Sequence, residues 1–475
     1  MKETRIYSLL NNSNKTKLNR FGKYLASPYF NKNNALLILG DKLISAIKKG
    51  AEPETNLVMW SLCKGSNIPY NDLKFRKLCN ELLDRFENFL IIEELENDKL
   101  LKSNLLLSSI KNNKFETLAE KHISKSSKLI DRQADQSAEF YLQKHFYEKT
   151  IFNLKTDYEK KENISSTLNK LRFQDYSVNL HAFYVTENLR HATHMLFWRR
   201  MFKTDIIIDV GYTLDIIEKY KLGEFPAVKI YHLMYLIMSD EGNDETFLLL
   251  KKMAAEQIEI FPKSERREVL DALLTYCIKE TNRGESGFYE HLLSIYDWGI
   301  DSEIMLENGF VSPTTFRNYV LAGLRYGSFE EVEHFIHERS SLLEKKYREN
   351  AMNFNLARVN FYKKDYDSVI SFLNKVSYAD VFYAVESRML LQAAYFEKNE
   401  FDALESTIDA FTKFLRRDKT LETFKASGYI NFSKYLKRFI QFKEKDYTAF
   451  IDKIKQTTPL YNKQWLIQKI EEHQA

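Results

Sequence analysis

The chain has 475 residues, 44% hydrophobic and 29% charged, with a formal net charge of +4; that balance supplies a core and excludes a largely disordered polymer. Only 14 glycines and 7 prolines occur, too few for the turns of a β-sandwich or barrel or for a glycine-rich phosphate loop. No apolar run approaches the roughly 18 residues of a membrane span, and Cys63, Cys79 and Cys277 have neither the number nor the spacing of a disulfide framework or zinc site, which fits a reducing cytoplasm.

Charge is unevenly distributed. Residues 1–50 hold ten Lys/Arg against two Asp/Glu, and residues 1–200 hold 33 against 23. Residues 201–350 reverse the balance at 17 against 27, and residues 351–475 return to 20 against 16. Such asymmetry speaks to partners rather than to fold. The first twenty residues are basic and polar, without the apolar core of a secretion signal.

In chain order, Leu18, Phe21, Tyr24 and Leu25 predict a short helix that stops at Ser27-Pro28, because a residue before proline disfavours the helical region. Helices are expected over 33–49 and 54–64. Gly65 to Pro69 then forms a loop, and Asn71 or Asp72 caps a long helix carrying Phe75, Leu78, Leu82, Phe86, Phe89 and Leu90. Lys15, Lys17, Arg20, Lys23 and Lys32, with Tyr24, Tyr29 and Phe30, are either a nucleic-acid contact or a solvated face over core aromatics. A helix-turn-helix within 54–90 is conceivable, with no recognition helix distinguishable from a packing helix.

Further on, Glu187, His191 and His194 share a helix face, but the Glu-x-x-His pairs of a carboxylate-bridged metal site are absent, as is HExxH. Arg190, Arg199 and Arg200 surround Phe197, Trp198 and Phe202. That mixture can serve stacking and phosphate contacts, but the favoured reading is a buried helix face edged by solvated arginines. No GxxxxGK[ST], GxGxxG or GxSxG occurs, so no catalytic residue, cofactor or metal is assigned.

A short signature recurs towards the C-terminus. Gly327-Ser328-Phe329-Glu330-Glu331-Val332, Lys364-Asp365-Tyr366-Asp367-Ser368-Val369, Asn399-Glu400-Phe401-Asp402-Ala403-Leu404 and Lys445-Asp446-Tyr447-Thr448-Ala449-Phe450 each place an aromatic two residues after a small or polar one. Weaker echoes are Asn113-Lys114-Phe115-Glu116 and Gly223-Glu224-Phe225-Pro226. Apolar stripes with helical spacing flank each copy: Ala351, Phe354, Ala357 and Phe361 before the second, Val369, Ile370, Leu373 and Val376 after it. The expectation is a helical hairpin per copy, with Phe329, Tyr366 and Phe401 buried between its two helices.

The segments 347–376 and 382–411 resemble tetratricopeptide repeats. Leu356-Ala357, Tyr366, Val369 and Leu373, then Leu391, Tyr395, Phe401, Leu404 and Ile408, fall at that motif's offsets. Asn360 departs from it, no proline closes either unit, and the last spacing is too long, so the repeats are degenerate over about 313–450. As a whole the chain also resembles a family of large bacterial helical-repeat proteins to which no function is assigned. The resemblance implies an all-α fold, an α-solenoid of stacked helical hairpins. The expected organisation is a basic N-terminal helical module over 1–110, a degenerate hairpin array over 111–312, and tetratricopeptide-like repeats with a C-terminal capping helix over 313–475.

In such a solenoid the first helix of each hairpin lines the concave side. Carrying the offsets across puts Arg317, Asn318, Leu321 and Arg325 there, then Phe354, Asn355, Arg358 and Tyr362, then Met389, Ala393 and Phe396. Arginine and asparagine among aromatics can grip a carboxylate or a peptide backbone. The expectation is a non-catalytic cytoplasmic scaffold that takes a peptide or helix of a partner protein at Arg317, Asn318, Arg325, Phe354, Asn355, Arg358 and Tyr362, with no membrane role. The alternative is a nucleic-acid-associated factor using the basic first 200 residues.

Overall fold

Helices begin here where a short polar side chain can cap them. Thr4, Asn14, Asn33, Thr55, Asn71 and Asp98 each accept a hydrogen bond from a backbone N–H of the first turn they precede, satisfying donors that a helix leaves unpaired. The computed structural model describes residues 1–158, 173–378, 381–417, 423–441 and 447–474. Helix makes up 79% of the structure. The only strands among the described residues are Leu306–Glu307 and Phe310–Val311, which pair antiparallel across a turn, Leu306 with Val311 and Glu307 with Phe310. The all-α class expected from the sequence holds.

Backbone contacts divide the chain into two units, residues 1–187 with 216–222, and residues 188–215 with 223–475. The boundaries expected near 110 and 312 fall inside these units. The first unit contains α1 (Arg5–Asn11), α2 (Lys15–Ala26), α3 (Asn34–Lys48), α4 (Asn56–Lys64), α5 (Asp72–Asn97), α6 (Lys99–Asn112), α7 (Glu116–Asp131) and α8 (Ala138–Tyr158). Residues 1–92 share one core, with Leu18, Phe21, Leu39, Phe75, Leu82 and Phe86 at its centre. Phe21 meets Phe86 edge-on at 4.9 Å. α3 crosses α2 so closely at Gly40 that a Cβ there lies 2.4 Å from Leu25 Cδ1, which only glycine tolerates without a shift.

Helices α9 (Phe173–Phe202) and α10 (Gly211–Lys219) contribute to both units. The second unit then runs through α11 (Pro226–Ser239), α12 (Asp244–Gln257), α13 (Lys263–Arg283), α14 (Phe288–Asp301), α15 (Pro313–Tyr326), α16 (Phe329–Arg339), α17 (Lys345–Tyr362) and α18 (Tyr366–Leu373). It closes with α19 (Val381–Glu397), α20 (Phe401–Arg417), α21 (Thr423–Ile440), α22 (Tyr447–Gln456) and α23 (Lys463–Gln474). From α13 to α21 each helix packs on the next, and α15, α17, α19 and α21 also pack on one another in succession.

The recurring signature is a helix stop. Gly327, Lys364 and Asn399 take positive φ of 94°, 62° and 57°. The next residue sends its N–H five residues back, Ser328 to Gly323, Asp365 to Asn360 and Glu400 to Tyr395, at 2.9–3.0 Å. This is the two-residue Schellman-type closure, and the aromatic then opens the following helix. The echo at Lys114 is the same turn, with φ 55° and Phe115 N–H donating to the Ile110 carbonyl. In the fourth copy Lys445 and Asp446 lie outside the described residues, and Tyr447 opens α22.

The expected burial of the signature aromatics is corrected by the structure. Phe329 and Tyr366 are half-buried, and Phe401 is 43% exposed. At the first position of its helix each ring meets an aromatic in the last turn of a neighbouring helix: Tyr366 reaches back to Phe361 at 5.6 Å and Phe401 to Phe396 at 6.4 Å in the helix before, whereas Phe329 meets Tyr362 at 6.1 Å in α17, the helix that follows. The enclosed residue is the apolar one three positions on, Val332, Val369, Leu404 or Phe450, one helical turn deeper on the packed face.

Candidate binding site on successive first helices

The alternate helices α15, α17, α19 and α21 each contribute one polar side chain to a single chain of contacts. Arg317 of α15 lays its guanidinium over the Phe382 ring at 4.5 Å, and Arg358 of α17 lies over Phe354 at 4.6 Å. Phe354 and Phe382 pack edge to face at 5.9 Å, so the two cations sit on one aromatic block. Arg358 Nη2 donates to Glu386 Oε2 of α19 at 2.8 Å, and the Tyr429 hydroxyl of α21 donates to Glu386 Oε1 at 2.5 Å. The Arg358 and Glu386 side chains keep only 15% and 14% of their exposure.

Electrostatics in this block is unbalanced. Burial pushes the Arg358 guanidinium below the ordinary arginine range; Glu386 opposes that and Arg317 adds to it. Burial and Glu386 push the Tyr429 hydroxyl well above the usual tyrosine range. Two guanidiniums thus lie near each other, and the Glu386 carboxylate pairs with Arg358. Arg317 Nε, Arg358 Nη1, Asn355 Oδ1, Ser387 Oγ and Gln392 Nε2 are enclosed without a hydrogen-bond partner, which is costly for each. Ser433 meets the other end of Gln392, donating to its Oε1 at 2.9 Å.

The sequence-derived set therefore divides. Arg317 and Arg358 come together. Asn318 is engaged with Tyr296 and accepts from Arg317 at 3.4 Å. Phe354 and Asn355 are 1% exposed, so they are packing residues and not a surface that a ligand reaches; Asn355 turns its amide to the Ala351 carbonyl. Arg325 is exposed in the last turn of α15, and Tyr362 is exposed against Phe329. Leu321 is half-buried, Met389 and Ala393 are buried, and Phe396 packs among Phe401, Phe439 and Trp465. The sequence reading missed Phe382, Glu386 and Tyr429. Glu386 was within reach, since it lies one turn before Met389 on the face already assigned; Tyr429 lies beyond the last regular repeat.

A second polar cluster absorbs the Glu187–His194 face. Arg190 grips Glu268 with two hydrogen bonds, at 2.9 and 2.7 Å. His194 Nε2 is 3.2 Å from the same carboxylate, and the Tyr231 hydroxyl donates to Glu265 at 2.8 Å. Burial raises Glu268, but His194 and Arg190 outweigh it and bring its carboxyl down to about 2. His191 is exposed, and no group of three metal-ligating side chains is found among the described residues. Phe197, Trp198 and Phe202 are exposed, which corrects the buried-face reading of that helix end, and Trp198 stacks on Phe202 at 5.2 Å. Arg200 is held by Asp240 and the Met238 carbonyl.

Comparison with family models, with curated proteins and with solved structures finds no match to this chain. Among the described residues, no helix is long and apolar enough to cross a membrane.

Proposed function

We propose that this chain is a non-catalytic interaction scaffold, a tetratricopeptide-like solenoid whose stacked first helices hold a segment of a partner protein. The observation that carries the reading is the arrangement of Arg317 and Arg358: two guanidiniums on one aromatic block, with Glu386 held by Arg358 and with Arg317 half-buried beside them. A partner carboxylate supplies what this cluster lacks, and arginine binds carboxylates with directed, charge-assisted hydrogen bonds. A binding role also fits the carboxylates of both clusters: Glu386 and Glu268 are each already engaged by an arginine and a second side chain.

Because Arg358 already serves Glu386, its removal tests folding as much as binding. Arg317 and the exposed pair Arg325 and Tyr362 are the better probes. The test isolates the partner by affinity capture from native cells after nuclease treatment, then measures its binding by calorimetry. Arg317→Ala is expected to weaken binding at least tenfold, about 1.4 kcal/mol, with melting unchanged. Full affinity in Arg317→Ala and in Arg325→Ala overturns the reading.

A further inference from the structure

The first unit carries a second surface, independent of the protein-binding reading. Between Glu3 and Asp41 there is no acidic residue, while Arg5, Lys15, Lys17, Arg20, Lys23 and Lys32 all fall in that stretch. The fold concentrates this charge. The core side of α2 is Leu18, Phe21 and Leu25. Lys15, Asn19 and Lys23, at i, i+4 and i+8, therefore form one line on its outer face, and all three are exposed. α3 packs against α2, and Lys48 near its end donates to Asn19, which brings Lys48 to the same face. At the other end, the connection between the helices presents Lys32 and Tyr29. The Tyr29 ring is 86% exposed yet held at its root, edge-on to Phe30 at 5.0 Å, which in turn stacks on Tyr24 at 4.6 Å. Of the neighbouring acids, Glu93 pairs with Arg20 at 2.9 Å and Glu81 accepts from Asn33 at 3.3 Å. Asp41 is the remaining carboxylate on α3.

We infer that the outer face of α2 and α3 binds single-stranded nucleic acid, with Lys15, Lys23, Lys32 and Lys48 on the phosphates and Tyr29 stacked on a base. Charge complementarity selects a polyanion, and phosphate contacts are what a row of solvated lysines and asparagines makes. The projecting ring adds what duplex phosphates do not need, a stacking platform for an unpaired base. An anionic membrane fits less well: the apolar residues of α2 are consumed by the core, leaving no face to insert, whereas surface-bound helices bury an apolar face in the bilayer.

The full chain is titrated against fluorescein-labelled dT20 by fluorescence anisotropy, alongside a 20-base-pair duplex and phosphatidylserine vesicles. The expected result is preferential binding of dT20, weakening on the order of fiftyfold between 50 and 200 mM salt if about four phosphates are contacted. The triple variant Lys15→Ala, Lys23→Ala, Lys48→Ala is expected to lose at least tenfold with a shallower salt dependence. Tyr29→Ala is expected to lose at least fivefold with the salt dependence unchanged, since stacking is not ionic. These side chains are exposed, and unchanged far-UV circular dichroism melts confirm folding. Absence of dT20 binding at 50 mM salt, affinity unaltered in both variants, or equal binding of the duplex overturns the inference. Vesicle binding without dT20 binding overturns it in favour of a membrane surface.

Discussion

Replacing Glu386 by glutamine tests the architecture of the candidate site most directly. The side chain keeps its size and can still accept from Tyr429, but its charge is gone. Arg358, only 15% exposed, then loses its counter-charge and remains beside Arg317. Removing one partner of a buried pair costs about 3–5 kcal/mol; residual exposure at both ends places this case near the lower figure, about 3 kcal/mol. For a unit of this size that corresponds to a fall in Tm of roughly 5 °C. The measurement combines urea and thermal unfolding with hydrogen exchange over Lys345–Tyr362 and Val381–Glu397, which localises the loss. Arg358→Met removes the cation that Glu386 stabilises and fills much of its volume, so the double variant is expected to recover about 1–3 kcal/mol relative to the sum of the singles. A Glu386→Gln protein that melts like wild type, or strictly additive variants, refutes the claim that this pair is a buried, coupled element.

Other consequences follow from the same geometry. Tyr366→Ala is expected to cost about 2 kcal/mol and Phe401→Ala about 1 kcal/mol, below the roughly 3–5 kcal/mol of a fully enclosed ring; denaturant midpoints that reverse this order contradict the exposures. Lys364→Gly is expected to stabilise by about 1 kcal/mol, because lysine is held at φ 62° where only glycine is unstrained, and an unchanged or lower midpoint removes that turn assignment. Glu268, depressed from an ordinary 4.5 to about 2, contributes stability that is full above pH 4.5 and lost as pH falls towards 2, on the order of 3 kcal/mol; acid unfolding of Glu268→Gln is expected to show a correspondingly shallower pH dependence over that window. Cys277 is buried and its thiol pushed up to about 12, whereas half-buried Cys63 is pushed to about 11. A thiol reagent at pH 8 is therefore expected to leave Cys277 unmodified until the protein unfolds, and rapid native labelling contradicts its burial.

Local chemistry was readable in the chain. The stop at Ser27-Pro28, the cap at Asn71, and the polar breaks before Phe329, Tyr366 and Phe401 all mark real helix ends. Each depends on a few adjacent residues: a proline that denies its neighbour the helical region, a side chain that caps, a residue that accepts positive φ. Helical periodicity likewise identified the faces of α2, α5, α17 and α20 that are buried. It did not say how deep each position sits. Tyr366 matched the repeat offset, yet the first residue of a helix lies at the edge of the pair, and Val369 one turn on takes the centre.

What the sequence determined by itself was the helical class, several helix ends, the turn that links successive helices at the recurring signature, and the polarity of charge along the chain, because these follow from contacts within a few residues. Only the tertiary structure decided which groups meet across helices. Arg358 finds Glu386 28 residues away and Glu386 finds Tyr429 43 residues away, while Arg190 and His194 are taken by Glu268 on another helix. Such partners are set by how helices pack in register, a property of many side chains at once. A residue that looked free to bind in sequence, Arg358 above all, therefore proved to be engaged already by its own fold.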